Sequence, residues 1–184
     1  MRVVVVDDYA PFRSFFCATL RKNPELQIVA EVADGLEAVH KAEALQPDLI
    51  VLDLGLPTLN GIEAARQIRK VAPQSKVLFV SQESSADVVE EALSLGSAGY
   101  VVKAQAGREL LAAVEAVRQG KRFISLGLSG LTLSGDAAVR DPDSLSDEEA
   151  VPPQRKWEIP SSHTSEDRRK QEGSRVNAYI FTVP

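Results

Sequence analysis

Asp7, Asp8, Asp53, Ser81 and Lys103 are the residues whose types could do chemistry together, because each follows an apolar run at its carboxyl end. Asp7-Asp8 closes Val3-Val4-Val5-Val6, and Asp53 closes Leu49-Ile50-Val51-Leu52. Ser81 closes Val77-Leu78-Phe79-Val80, and Lys103 closes Tyr100-Val101-Val102. Three carboxylates gathered at one edge repel one another unless a hard cation sits among them. Mg²⁺ prefers oxygen ligands and keeps several waters, so one or two direct carboxylates plus a carbonyl suffice. That cation and the Lys103 ammonium would neutralise an incoming phosphoryl group, and the Ser81 hydroxyl would donate to one of its oxygens. Such a collection suits phosphoryl transfer, where catalysis is mostly positioning and charge stabilisation. Asp53 is the natural nucleophile, since carboxylates form acyl-phosphates. Taken singly, each residue has an ordinary explanation as a turn cap or a solvated charge. Their recurrence at the same end of successive runs carries the reading.

The elements that must position them follow from periodicity. The stretch Asp48-Leu49-Ile50-Val51-Leu52-Asp53 is short, rich in β-formers and closed by Gly55 and Pro57, so it predicts a buried strand. Val3–Val6, Leu26–Val32, Lys76–Val80 and Ala98–Val102 read as four further strands. Helical stripes lie between and after them: Phe12, Phe15, Phe16, Thr19 and Leu20; Leu36, Val39, Ala42 and Leu45; Ile62, Ala65 and Ile68; Val88, Val89, Ala92 and Leu93; Leu110, Leu111, Val114 and Val117. Pro11 lies near the start of the first helix, and Asn23-Pro24, Pro47, Pro73, Gly96 and Gly120 stop the five in turn. Asp34 is a possible cap of the second helix, and Ser84 or Ser85 of the fourth. Gly61 is expected to serve a loop and helix start and not to contact a ligand. Strands alternating with helices give βαβ units with right-handed crossovers. The expected architecture is α/β: a three-layer open parallel five-stranded sheet of the (βα)5 flavodoxin-like type. In such sheets ligands bind beyond the carboxyl ends of the strands.

Composition narrows the function classes. A net charge of −5 gives no general nucleic-acid footprint. No apolar run reaches the roughly 20 residues that span a bilayer, and the opening strand lacks a signal-peptide pattern. With a single cysteine, Cys17, no internal disulfide forms, and a reducing cytoplasmic location is expected. Cys17 reads as a small buried hydrophobe among Phe15, Phe16 and Leu20. His40 and His163 read as solvated, without metal-ligand company. No Gly-rich phosphate loop follows the first strand, where Tyr9-Ala10-Pro11 stands.

Two organisational units are expected, a domain over residues 1–124 and a linker or tail over 125–184. Beyond residue 125 come 7 Lys+Arg and 10 Asp+Glu, together with half of the prolines, without either hydrophobic period. That segment is expected to be largely disordered, because it offers too little apolar surface to offset its ordering entropy.

Val5-Val6-Asp7-Asp8, Leu52-Asp53-Leu54-Gly55-Leu56-Pro57 with Asn60-Gly61, Val80-Ser81 and Tyr100-Val101-Val102-Lys103 together resemble the receiver domain of two-component response regulators. The resemblance covers residues 1 to about 122. Within that family it is most similar to the branch whose receivers usually precede a LuxR-type helix-turn-helix. The resemblance implies that Asp53 accepts phosphate from a sensor histidine kinase or a small phosphodonor. It implies that Asp8, Asp53 and the Gly55 carbonyl hold Mg²⁺, that Asp7 acts through water, and that Lys103 and Ser81 contact the phosphoryl oxygens. Movement of Ser81 toward the phosphate would let Tyr100 turn inward. That would alter the surface of helix four, strand five and helix five, where a homodimer or another partner forms. A membrane is not among the implied partners, and the implied role is signalling without a separate enzymatic activity.

Two features depart from the pattern. Gln82 stands where the family usually has a small residue, which bears on phosphoryl entry and hydrolysis. Leu145-Ser146-Asp147-Glu148-Glu149-Ala150-Val151 faintly echoes the opening of a DNA-binding module, but Pro152-Pro153 ends it and no recognition helix follows. Direct DNA binding by this chain is therefore not expected. The alternative reading is a transcription regulator with a truncated or missing DNA-binding part. A flavodoxin-like FMN binder lacks its phosphate loop here. An aspartyl-phosphate phosphatase needs a second Asp where Gly55 stands.

Overall fold

A computed structural model describes residues 1–128. The elements in chain order are β1 (Arg2–Val6), α1 (Ala10–Leu20), β2 (Gln27–Val32), α2 (Gly35–Leu45), β3 (Leu49–Leu52), α3 (Gly61–Val71), β4 (Lys76–Ser81), α4 (Ala86–Ser94), β5 (Gly99–Val102), α5 (Ala106–Arg118) and β6 (Phe123–Ile124). Short 3₁₀ turns occupy Lys103–Gln105 and Leu126–Leu128. The reading of residues 129–184 as a loose tail, and that of His163, fall outside the described residues.

All pairings are parallel, in the order β2-β1-β3-β4-β5-β6. The strand order reverses between β1 and β3, which opens a crevice at their carboxyl ends. Alternation along the strands sends residues to opposite faces. Val3, Val5, Leu49, Val51, Leu78, Val80 and Val101 pack with α1 and α5. Val4, Val6, Ile50, Leu52, Phe79 and Tyr100 pack with α2, α3 and α4. Burying each such side chain contributes about 1.5–3 kcal/mol, so the sheet is a rigid platform for whatever its edge carries.

The helix boundaries have local causes. Asp34 accepts from the backbone N–H groups of Leu36 and Glu37 at 2.8 and 3.0 Å, and Asn60 accepts from Glu63 at 2.9 Å. Gly96 and Gly120 take φ of 74° and 77° just beyond α4 and α5, where a side chain would be strained. The first turn of α4 differs from expectation. Ser85 stands at the cap position but makes no side-chain cap bond. The carboxylate of Glu83 instead folds back on the residues ahead of the helix, accepting from Ser84 N and Ser85 N at 2.9 and 2.8 Å.

The sheet has one strand more than expected. Phe123 and Ile124 pair with Gly99 and Tyr100 along the outer side of β5. The next residues stay on the domain. The Ser125 backbone N–H donates to the Tyr100 carbonyl at 2.9 Å, the Val102 N–H donates to Ser125 Oγ at 2.9 Å, and Ser125 Oγ donates to Glu109 Oε2. Leu128 is buried in the cluster that holds Tyr100, Val89 and Leu93.

Candidate functional site

Each of the five residues reaches the carboxyl edge because its backbone is tied into the sheet one step earlier. The Asp7 N–H donates to the Val32 carbonyl and the Asp53 N–H to the Val6 carbonyl, both at 3.0 Å. Ser81 is the last residue of β4, and Lys103 opens the 3₁₀ turn directly after β5. Carboxylate oxygens of Asp7, Asp8 and Asp53 lie within 4.8 Å of one another. Lys103 Nζ sits 2.7 Å from Asp7 Oδ2 and 2.8 Å from Asp53 Oδ2. The other oxygen of Asp7 accepts from Tyr9 N at 2.9 Å, and that of Asp53 from Leu54 N at 2.8 Å. Asp7, Asp53, Ser81 and Lys103 are buried and Asp8 is half-buried. All of them except Asp7 line a groove of about 670 Å³ between β1, β3, β4 and the starts of α3 and α4, within the range of small-ligand sites.

Burial dominates the electrostatics. Desolvation pushes the Asp7 carboxyl up from 3.8 to about 6; Lys103 opposes this and the Asp53 charge reinforces it. Three carboxylates against one ammonium leave the cluster with an excess of negative charge. The donor set is entirely hard oxygen, with the Gly55 backbone on the wall of the same groove, so its chemistry fits a small divalent cation such as Mg²⁺.

Two residues of the site carry a second job that sequence did not show. Phe12 was expected only as core, yet its ring lies 4.8 Å below Lys103 Nζ. A buried ammonium over an aromatic face gains about 0.5–2 kcal/mol, which adds to the two ion pairs that position Lys103. Tyr100 was expected to turn inward when Ser81 moves; here it is already inside, fully buried, with Oη donating to the Glu83 carbonyl at 2.8 Å. Burial raises its phenol above the ordinary value, against a hydrogen bond with Ser81. Tyr100 thus ties the β4–α4 loop to β5 and touches the site through Ser81. Gln82 is half-buried on the groove wall. Gly61 packs against the backbone of Asp53, where a β-carbon would overlap its carbonyl, so it serves the loop as expected. Cys17 is buried and its thiol is pushed up to about 12 by desolvation, in keeping with a core residue, and His40 is exposed.

Residues 3–115, more than half of the chain, match the response regulator receiver domain. The chain belongs to that family. This receiver is 35% identical to the transcriptional regulatory protein DegU of Brevibacillus brevis over 124 residues, 67% of this chain and 52% of that protein. It is 31% identical to the oxygen regulatory protein NreC of Staphylococcus epidermidis over 130 residues, 70% of this chain and 60% of that protein. The chain therefore spans about half to three-fifths of these curated relatives. Among solved structures it is similar to a LuxR-family two-component response regulator from Aurantimonas sp. SI85-9A1, at TM-score 0.67 and 32% identity over 71% of this chain and 93% of that one. It is also similar to the receiver domain of the putative response regulator NarL of Mycobacterium tuberculosis, at TM-score 0.62 and 31% identity over 65% and 97%. No helix among the described residues is long and apolar enough to cross a membrane.

Proposed function

We propose that this receiver takes a phosphoryl group onto Asp53, from a phosphohistidine of a sensor histidine kinase or from a small phosphodonor. The observation that carries the reading is Lys103 Nζ held between Asp7 and Asp53 at 2.7 and 2.8 Å at the floor of an open, net-acidic groove. A carboxylate oxygen of Asp53 attacks phosphorus, the bond from phosphorus to the donor breaks, and the donor leaves with the electron pair. The product is an acyl-phosphate. Lys103 and Ser81 contact the phosphoryl oxygens. Asp8, Asp53 and the Gly55 carbonyl would hold Mg²⁺, with Asp7 acting through water; the cation offsets the negative charge that two carboxylates and a phosphoryl group accumulate.

The output is a population shift between two packings of Ser81, the β4–α4 loop and Tyr100, favoured by the phosphoryl group's contacts in one of them. It reaches the α4–β5–α5 surface, where phosphorylation-dependent homodimerisation or partner binding takes place. We assign residues 1–124 to the receiver unit, with 125–128 docked on it, and the rest to linker or tail. Its setting is cytoplasmic, and it carries signalling in place of an enzymatic output. We ascribe no DNA binding to it. The reading as a transcription regulator with a truncated or missing DNA-binding part is not favoured, since the likeness lies in the receiver, and the FMN-binder and phosphatase readings give way for the same reason.

Acetyl phosphate with Mg²⁺ tests the assignment. The full chain is expected to gain one phosphoryl group by intact mass, and Asp53→Asn none, because an amide cannot form the acyl-phosphate. Continued labelling of Asp53→Asn refutes Asp53 as the acceptor.

A further inference from the structure

The loop from Leu54 to Asn60 presents the Gly55 carbonyl, and it contains two tight reversals. The Leu56 N–H donates to the Leu54 carbonyl at 3.0 Å around Gly55, and the Leu59 N–H donates to the Pro57 carbonyl at 2.6 Å around Thr58. Thr58 has φ of 60°, one of two non-glycine residues at positive φ among those described. A three-residue turn with a β-branched residue at positive φ is rare and strained, and persists only where its surroundings over-determine it. The loop's own closing bond lies at its base, where the Gly61 N–H donates to the Leu54 carbonyl at 2.9 Å. Its tip is held from outside by the first turn of α2, which is distant in sequence. The Gly35 N–H donates to the Pro57 carbonyl at 3.4 Å, and the Thr58 side chain beside Asp34 helps hold that carboxyl below the ordinary carboxylate range. A β-carbon at residue 35 would overlap the Leu59 carbonyl, so α2 sits against the loop at backbone distance.

We propose that Asp34, Gly35 and Thr58 are positioning residues for the phosphoacceptor loop: the start of α2 clamps the strained Thr58 turn and thereby fixes where the Gly55 carbonyl points. This rests on the proposed phosphoacceptor function and adds residues that do not line the groove. The clamp acts on the loop's side of the metal site, so it sets Mg²⁺ affinity, while Lys103 and Ser81 remain in place from β4 and β5.

Mg²⁺ alone is the probe, titrated calorimetrically and followed at the Gly55 amide resonance in the full chain. Thr58→Val keeps size and branching but removes the hydroxyl, and is expected to weaken Mg²⁺ binding three- to tenfold while labelling at saturating Mg²⁺ stays within twofold of the parent. Thr58→Ser retains the hydroxyl and is expected to restore parental affinity. Gly35→Ala is expected to weaken binding further; if it does not fold, the Thr58 pair decides the matter. A purely structural role would lower the melting temperature and leave Mg²⁺ affinity untouched. Parental Mg²⁺ affinity in folded Thr58→Val overturns the clamp and leaves the phosphoacceptor assignment standing. A parent chain that binds no Mg²⁺ overturns both.

Discussion

Two buried polar clusters lie on the same sheet, one at the carboxyl edge and one at the outer side of β5. At the carboxyl edge three carboxylates face one ammonium, and the cluster opens onto a groove. At β5 the polar atoms close on one another: Val102 N–H to Ser125 Oγ, Ser125 Oγ to Glu109 Oε2, and Leu126 N–H to Glu109 Oε1 at 3.4 Å. A satisfied network rigidifies the fold and invites no ligand. An unbalanced cluster open to solvent asks for a counter-charge. The contrast separates a closed, satisfied use of buried polarity from an open, charge-unbalanced one within a single domain.

Removing the ammonium sharpens that contrast most. Lys103→Ala leaves Asp7 and Asp53 buried without their cation, and breaking such a pair is expected to cost about 3–5 kcal/mol in the absence of metal. Millimolar Mg²⁺ should recover part of this in urea melts. The variant should still bind Mg²⁺ yet lose phosphorylation-dependent dimerisation; normal dimerisation would remove Lys103 from the switch.

Asp7→Asn works in the opposite direction. The folded pKa of Asp7 lies at about 6, above 3.8, so its stabilising contribution is complete below pH 4 and is lost as pH rises through 6. Asparagine lacks that loss. The metal-free variant is expected to gain stability between pH 4 and 7, reaching about 3 kcal/mol from a two-unit shift, and nothing at pH 3. A uniform gain at every pH would show that the carboxyl's titration is not the cause.

The closed cluster should behave as structure alone. Ser125→Ala strands the Val102 N–H and one Glu109 oxygen, at a cost of about 1–3 kcal/mol, with the rate of acetyl phosphate labelling unchanged. A marked change in labelling would mean that the two clusters are coupled through Tyr100. The smallest effect belongs to Arg66, which bridges the half-exposed Glu91 at 2.7 Å. Arg66→Ala is expected to stay within about 0.5 kcal/mol.

Much of the candidate site's assembly was legible because its members end uninterrupted apolar runs. A short β-branched run such as Val3–Val6 favours a strand, and parallel strands place their carboxyl ends on one edge. The cap at Asp34 and the stops at Gly96 and Gly120 were legible for similar local reasons. The cap at Ser85 was not realised: its side chain makes no cap bond, and Glu83 engages only Ser84 N and Ser85 N, ahead of the helix. Phe12 carried a hydrophobic signal that is identical for a core side chain and for a shelf beneath Lys103.

The order and type of the elements from β1 to α5, and the acidic, hydroxyl and amine groups at the strand ends, were settled by sequence alone, since period and punctuation act within a few residues. Tertiary structure decided the pairing of Phe123–Ile124 with β5, the Ser125–Glu109 closure, the inward Tyr100 and the grip of α2 on the Thr58 turn. Those contacts join segments many residues apart. Which of them form depends on the shape left by the packed sheet and helices, and no local pattern encodes that shape.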